Sequence, residues 1–333
     1  MRKIFSGFIL LFVIGLFSCS NDFDLTTGWE DVPVVYGILS LQDTAHYIRV
    51  EKAFLDPETD AVRMAAVSDS LYYENLRVQL IGGNTGQVFE MERVDGNLEG
   101  YPKQDGTFAN SPNYLYKLKA DEANFSGGEV ITLRLIRGGG KEDIEATCVM
   151  AAEIDEQSGK PGQHIALSLL TKTPFGFRPH RSDRIFNLFV LMRYREYNVN
   201  SPDQVANKEI TIPIAKGILN DTDEPQINYL YDGTKFFYFL RDNLETSGDI
   251  HRIMRKLDYI VVGGGVEFKE LAALGEANYG TTGSQDIPTY TNIPGGFGIF
   301  SSVYTLRKTD LDLAIPTLDE VRNGDITKQL NFD

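Results

Sequence analysis

Residues 184–195 read RIFNLFVLMRYR. In an extended chain Phe186, Leu188, Val190, Met192 and Tyr194 fall on one face, and Ile185, Phe189 and Leu191 on the other. A strand that is apolar on both faces belongs in the middle of a sheet. Its neighbours follow from the flanking sequence. Residues 163–170 read as a strand, and Ile210, Ile212 and Ile214 alternate as another. Pro213 lies inside the latter and donates no ladder hydrogen bond, which puts that strand at an edge. Further on, Phe236, Phe237, Leu240 and Leu244 have helical spacing, as do Ile250, Ile253, Met254 and Leu257. Residues 257–262 (LDYIVV) form a strand running into Gly263-Gly264-Gly265. A helix holding Phe268, Leu271, Ala272 and Leu274 stops at Gly275. Thr317-x-x-Glu320 has the form of a capping box for a last short helix. Residues 163–333 are therefore expected to form a mixed α+β domain.

Upstream, residues 153–162 (EIDEQSGKPG) are polar and carry Gly and Pro, the composition of a linker. Residues 32–152 read as strands. Short alternating or apolar runs occur at 32–39, 46–54, 76–80, 87–94, 114–119, 131–135 and 143–150. Turn residues separate them at Gly82-Gly83-Asn84, Asp95-Gly96-Asn97, Asp105-Gly106 and Gly138-Gly139-Gly140. Runs of this length and spacing fit an antiparallel, Ig-like β-sandwich. Residues 57–70 read as a loop with a short helix inserted between strands. The fold class expected is mainly β, with an α+β second half.

The first residues direct the chain elsewhere. Arg2 and Lys3 precede an apolar run, residues 4–17 (IFSGFILLFVIGLF), too short for a comfortable membrane span and laid out like a secretory signal. It ends Leu16-Phe17-Ser18-Cys19, which resembles a bacterial lipobox. The resemblance implies removal of residues 1–18, acylation of Cys19, and a lipidated tether over 19–31. Each acyl CH₂ buried in a bilayer contributes about 0.8 kcal/mol, so several chains hold such a protein firmly. Asp22 and Asp24 make the start of that tether acidic, as in lipoproteins displayed on the cell surface. The expected location is the outer membrane facing outward, with the periplasmic face as the alternative.

The net charge is −15, and loss of Arg2 and Lys3 takes it to −17. That sign disfavours nucleic acid and anionic lipid. The only other cysteine is Cys148, so with Cys19 acylated no internal disulfide forms.

The chemical motifs argue against catalysis. His46, His164, His180 and His251 form no metal-ligand spacing. Pro179-His180-Arg181-Ser182-Asp183 is a polar loop without a nucleophile elbow. Gly263-Gly264-Gly265 lacks the last glycine of a dinucleotide turn, Phe268 standing in its place. Asn220, Asp221, Asp223 and Glu224 cluster as an adventitious calcium site would, but without EF-hand spacing. No enzyme activity, metal or cofactor is expected.

One stretch is unusual. Residues 275–304 read GEANYGTTGSQDIPTYTNIPGGFGIFSSVY. Such a segment either packs under the core or recognises a partner, and Tyr290, Asn292, Phe297 and Phe300 are its candidate interaction residues. Pro288-x-Tyr290-Thr291-Asn292-Ile293 and Gly296-Phe297-Gly298-Ile299-Phe300 resemble a signature of Bacteroidota lipoproteins of undetermined function. In that family a lipobox precedes an Ig-like or transthyretin-like β-domain and a larger C-terminal domain. The resemblance implies a partner in an outer-membrane β-barrel such as a TonB-dependent transporter. Two other readings compete: a glycan or small-ligand module using exposed Tyr and Phe, and a surface hydrolase.

Overall fold

The computed structural model describes residues 32–53, 66–103, 106, 109–156, 164–269 and 291–333. Cys19, Tyr290 and the helix expected over 268–274, apart from its first residues, lie outside them. The architecture is strand-rich throughout, with several sheets.

The largest sheet is built around the stretch quoted first. That segment is β12 (Ile185–Asn198), flanked by β13 (Ser201–Leu219) and β15 (Ile250–Gly264). The sheet continues through β16 (Phe297–Leu313), β1 (Val32–Leu39), β2 (Ala45–Ala53), β6 (Tyr114–Lys119) and β5 (Glu92–Asp95), in the order β13-β12-β15-β16-β1-β2-β6-β5. A short strand, β10 (His164–Ile165), pairs with the far end of β16. β12 is buried over its first eight residues and central, as both-faced hydrophobicity requires. β13 is the edge strand, and Pro213 sits opposite Phe189 where the register shifts.

Strands from both sides of residues 153–162 share this sheet. The joint is β1 against β16, parallel, with Val34 opposite Phe297 and Leu39 opposite Ser302. A second sheet of four antiparallel strands has the order β4 (Val88–Glu90), β3 (Arg77–Gly82), β7 (Val130–Ile136) and β8 (Ile144–Val149). A third runs β14 (Ile227–Asp232), β11 (Lys172–Arg178) and β9 (Asp155–Glu156). Short helices α1 (Ser68–Leu71) and α2 (Ala120–Ala123) precede two longer ones, α3 (Thr234–Asn243) and α4 (Ile315–Asn323).

Three apolar clusters hold the layers. Val35, Ile48 and Val50 of the large sheet meet Val78, Leu80, Leu133 and Ala146 of the four-stranded sheet. Phe186, Leu188, Tyr259 and Val261 meet Phe175 and Tyr231 of the three-stranded sheet and Phe236, Phe237 and Leu240 of α3. Ile38, Ile185, Phe189, Ile260, Val262 and Ile299 cover the opposite face at the joint.

Three expectations are corrected. Residues 250–257 are strand, not helix. The register between β12 and β15 slips between Met192 and Tyr194, where Leu257 and Met254 are their partners. The extra residue places Met254 and Leu257 on one side at a spacing of three, so a bulged strand imitates helical periodicity. Residues 87–94 are two strands: after Met91, whose N–H bonds Val78 O, the chain leaves the four-stranded sheet for the large one. Finally, α4 begins two residues before Thr317, with Pro at its start. Thr317 is buried, accepting from Leu167 N at 2.8 Å and donating to Leu167 O at 2.9 Å, so it binds a neighbouring segment rather than capping its own helix.

Candidate functional site

The segment 291–300 folds against the start of β16. Thr291 Oγ1 accepts the Ile293 N–H at 3.1 Å and Gly296 N donates to Ile293 O at 3.0 Å, closing a tight turn. Asn292 then acts as a fragment of strand. Its Oδ1 accepts the Phe300 N–H at 2.9 Å and its Nδ2 donates to Phe300 O at 2.7 Å. This fills the side of Phe300 that faces away from Gly37 of β1, just before β15 takes over as neighbour at Val303. Ile293 and Phe300 are buried in the cluster that joins the two sheets. Phe297 is 42% exposed. Of the interaction residues inside the described range, Asn292 is thus engaged with backbone, Phe300 with core, and Phe297 alone presents its ring to solvent.

Removing the Asn292 amide leaves two backbone groups of Phe300 without their side-chain partners. We expect Asn292→Leu, close in volume, to cost about 2 kcal/mol. Equilibrium urea unfolding checks this, and a loss below about 0.5 kcal/mol would show the clamp to be dispensable.

A second polar group sits beside the chain leaving β8. Ser302 Oγ donates to Val149 O at 2.7 Å and accepts the Ala151 N–H. Asp183 Oδ1 accepts the Ala152 N–H at 3.3 Å and the Ser182 hydroxyl at 3.2 Å, and His180 Nδ1 lies 2.8 Å from the same hydroxyl. Asp183 is fully buried, and its Oδ2 has no hydrogen-bond partner among the described residues. Burial pushes its carboxyl up to about 7, against weaker opposing pulls from the Ala152 and Ser182 bonds. The order of groups is wrong for a serine nucleophile. There the imidazole stands between hydroxyl and carboxylate and takes the hydroxyl proton. Here the hydroxyl stands between imidazole and carboxyl.

His46 and His251 have structural surroundings. His46 is buried and stacks on Phe125 at 5.6 Å, and burial lowers it to about 4, so it is neutral at pH 7. His251 lies 3.2 Å from the Asp333 carboxylate, which also accepts from Tyr197 at 2.7 Å. Two buried charges of the large sheet, Arg252 and Asp258, are paired too. Arg252, 1% exposed, donates to Glu196, Leu330 O and Glu245 O, tying the last residues to β15. Buried Asp258 receives Arg193 and Arg307 and the Asp310 N–H, fixing a second register shift between β15 and β16. Sequence reading missed both, because apart from the Arg252 bond to Glu245 O, 7 positions away, they join residues 49 to 78 positions apart.

Among the described residues no three His, Cys, Asp or Glu side chains are grouped to hold a metal ion. In the acidic turn Asp223 is engaged by Arg184, and the Asn220 side chain accepts the Glu224 N–H at 2.8 Å and donates to Glu224 O at 3.3 Å.

What stays open is the outer margin of the large sheet. Residues Ser201–Glu209 of β13 are all exposed, including Val205 at 48%. Their pairing partner is β12 on one side only. Pro202 and Pro213 bracket a stretch, 203–212, whose outward backbone groups have no neighbouring strand among the described residues.

Compared with known proteins, the chain matches no protein-family model, and no curated sequence matches it.

Proposed function

We propose that the chain is a non-catalytic accessory lipoprotein, anchored through Cys19 to the outer membrane, facing the cell exterior, that docks on a β-barrel protein of that membrane such as a TonB-dependent transporter. The observation that carries this reading is the open edge of β13. An unpaired strand accepts another by backbone hydrogen bonds. The prolines at 202 and 213 and the lysines at 208 and 216, devices that blunt an edge against indiscriminate pairing, confine strand addition to a short window between them. The lipobox and acidic tether support the address. Two facing sheets around one apolar cluster support reading residues 32–152 as an Ig-like sandwich carrying the tether. Arg252, Asp258 and Asp223 are engaged in ion pairs within the chain, which supports a docking role over hydrolysis.

The test is affinity purification from membranes in mild detergent. A barrel protein is expected to co-purify with the wild type and to be lost with Val205→Pro, which removes a donor from the window and leaves the core untouched. Recovery of the lipoprotein alone would sink the docking reading. Cys19→Ser is expected to release the chain from the membrane fraction, and retention there would sink the anchoring.

A further inference from the structure

β2 carries an arginine on its outer face. Ile48 and Val50 point into the core shared with the four-stranded sheet, so Arg49 points the other way. It is nonetheless only 6% exposed, covered on a face where Tyr36 of β1 stands opposite it. Its Nε and Nη2 are both buried and have no hydrogen-bond partner among the described residues. These two atoms form one edge of the guanidinium, the edge that grips a carboxylate side-on with two parallel bonds. Other arginines of this chain show that edge in use. Arg77 places Nε 3.0 Å and Nη2 2.8 Å from the two oxygens of Glu90, and Arg307 places Nε 2.9 Å from Asp258.

The nearest acid in sequence on that face, Glu51, is engaged at 2.8 Å by Lys103, whose side chain is itself almost wholly buried. A second buried donor lies within electrostatic reach of Arg49. Tyr72 is 6% exposed and its hydroxyl has no partner meeting hydrogen-bond geometry among the described residues. Burial and then the Glu51 charge push its phenol up, while the Arg49 charge pulls it back, so the ring keeps its proton within the field of the guanidinium. Leaving a guanidinium edge buried and unpaired is costly, and a Met or Leu would fill the same space without that cost.

We infer that Arg49 and Tyr72 form a binding site for the carboxylate of a ligand, seated side-on against Nε and Nη2 with the Tyr72 hydroxyl as a third donor. A planar two-oxygen acceptor suits that edge, as Glu90 does on Arg77. The site lies on β2, apart from the β13 edge, and does not depend on the docking reading.

The experiment is thermal unfolding of the full chain at pH 7 in sodium acetate against sodium chloride of equal ionic strength. Acetate is expected to raise the midpoint saturably, by about 2 °C or more. Arg49→Lys keeps the charge and loses the fork, and is expected to abolish the acetate effect. Tyr72→Phe is expected to weaken it several-fold. Coincident acetate and chloride curves for the wild type would overturn the site, as would a full acetate effect in Arg49→Lys. If Arg49→Lys does not fold, Tyr72→Phe decides: a weakened response supports the site, and an unchanged one overturns it.

Discussion

Gly298→Ala is expected to remove more than about 3 kcal/mol of folding stability, enough to leave much of the chain unfolded under ordinary conditions. Gly298 has φ +109°, a conformation that side chains rarely adopt, and an added Cβ would lie 1.8 Å from Val35 O. Val35 is its partner in the parallel joint, so the clash falls on backbone that no rotamer change relieves. Relief requires β1 and β16 to separate, which opens the cluster containing Val35 and Phe300. Gly295 supplies the control. It also has positive φ, +71°, but an added Cβ meets nothing within 4 Å. Gly295→Ala is expected to cost about 1 kcal/mol, the conformational part alone. Urea unfolding of the two variants separates close approach from φ. Equal, small losses would show that the joint yields.

The second large effect is a pair of opposite pH dependences. His46 is held near 4 against an ordinary 6.5, so only the unfolded chain takes up its proton as pH falls. The stability it protects is whole above about 6.5 and is lost as pH falls to about 4, by about 3 kcal/mol in all. Asp183 is raised to about 7 from 3.8, so only the unfolded chain releases its proton as pH rises. Its contribution is whole below about 3.8 and is lost as pH rises to about 7, by about 4 kcal/mol. Between pH 4 and 6.5 the two slopes, each about 1.4 kcal/mol per pH unit, have opposite sign and cancel.

Differences from wild type expose them. Asp183→Asn keeps an oxygen for the Ala152 N–H and is expected to stabilise the chain increasingly from pH 4 to 7. His46→Phe keeps the stack on Phe125 and is expected to remove the loss of stability on acidification below pH 6.5. Asp43 and Glu267, both raised by burial, add to the slope of Asp183 in every variant and drop out of the comparison. Unfolding free energies across pH 4–8 check both, and parallel curves for all three chains would refute the assignment.

The strands were legible where one local rule governed them. Residues 131–135 alternate and residues 114–119 read as a strand, and β7 and β6 fall on them. β12 announced its central place by being apolar on both faces, and Pro213 put β13 at the edge. Reading failed where a distant partner set the geometry. A bulge opposite Arg193 turned alternation at 250–257 into apparent helical spacing. Thr317 had the right residue three before a glutamate, but Leu167 claimed its hydroxyl. The candidate sites followed the same division. Asn292 stood out by sequence, yet its service to Phe300 depends on where β15 ends. Arg49 gave no signal, since an arginine on the polar side of an alternating strand reads as solvated until the cover over it is seen.

The parallel course of β1 and β16 also has a mechanical side. β1 is the first strand after residue 31, and it lies between β2 and β16 with paired residues on both sides. A pull applied through the preceding residues therefore runs along the strand axis. The rungs on either side carry that load together, in shear, instead of parting one after another as in a peeled hairpin. A load on the tether proposed above would thus meet the paired rungs of β1 on both sides at once.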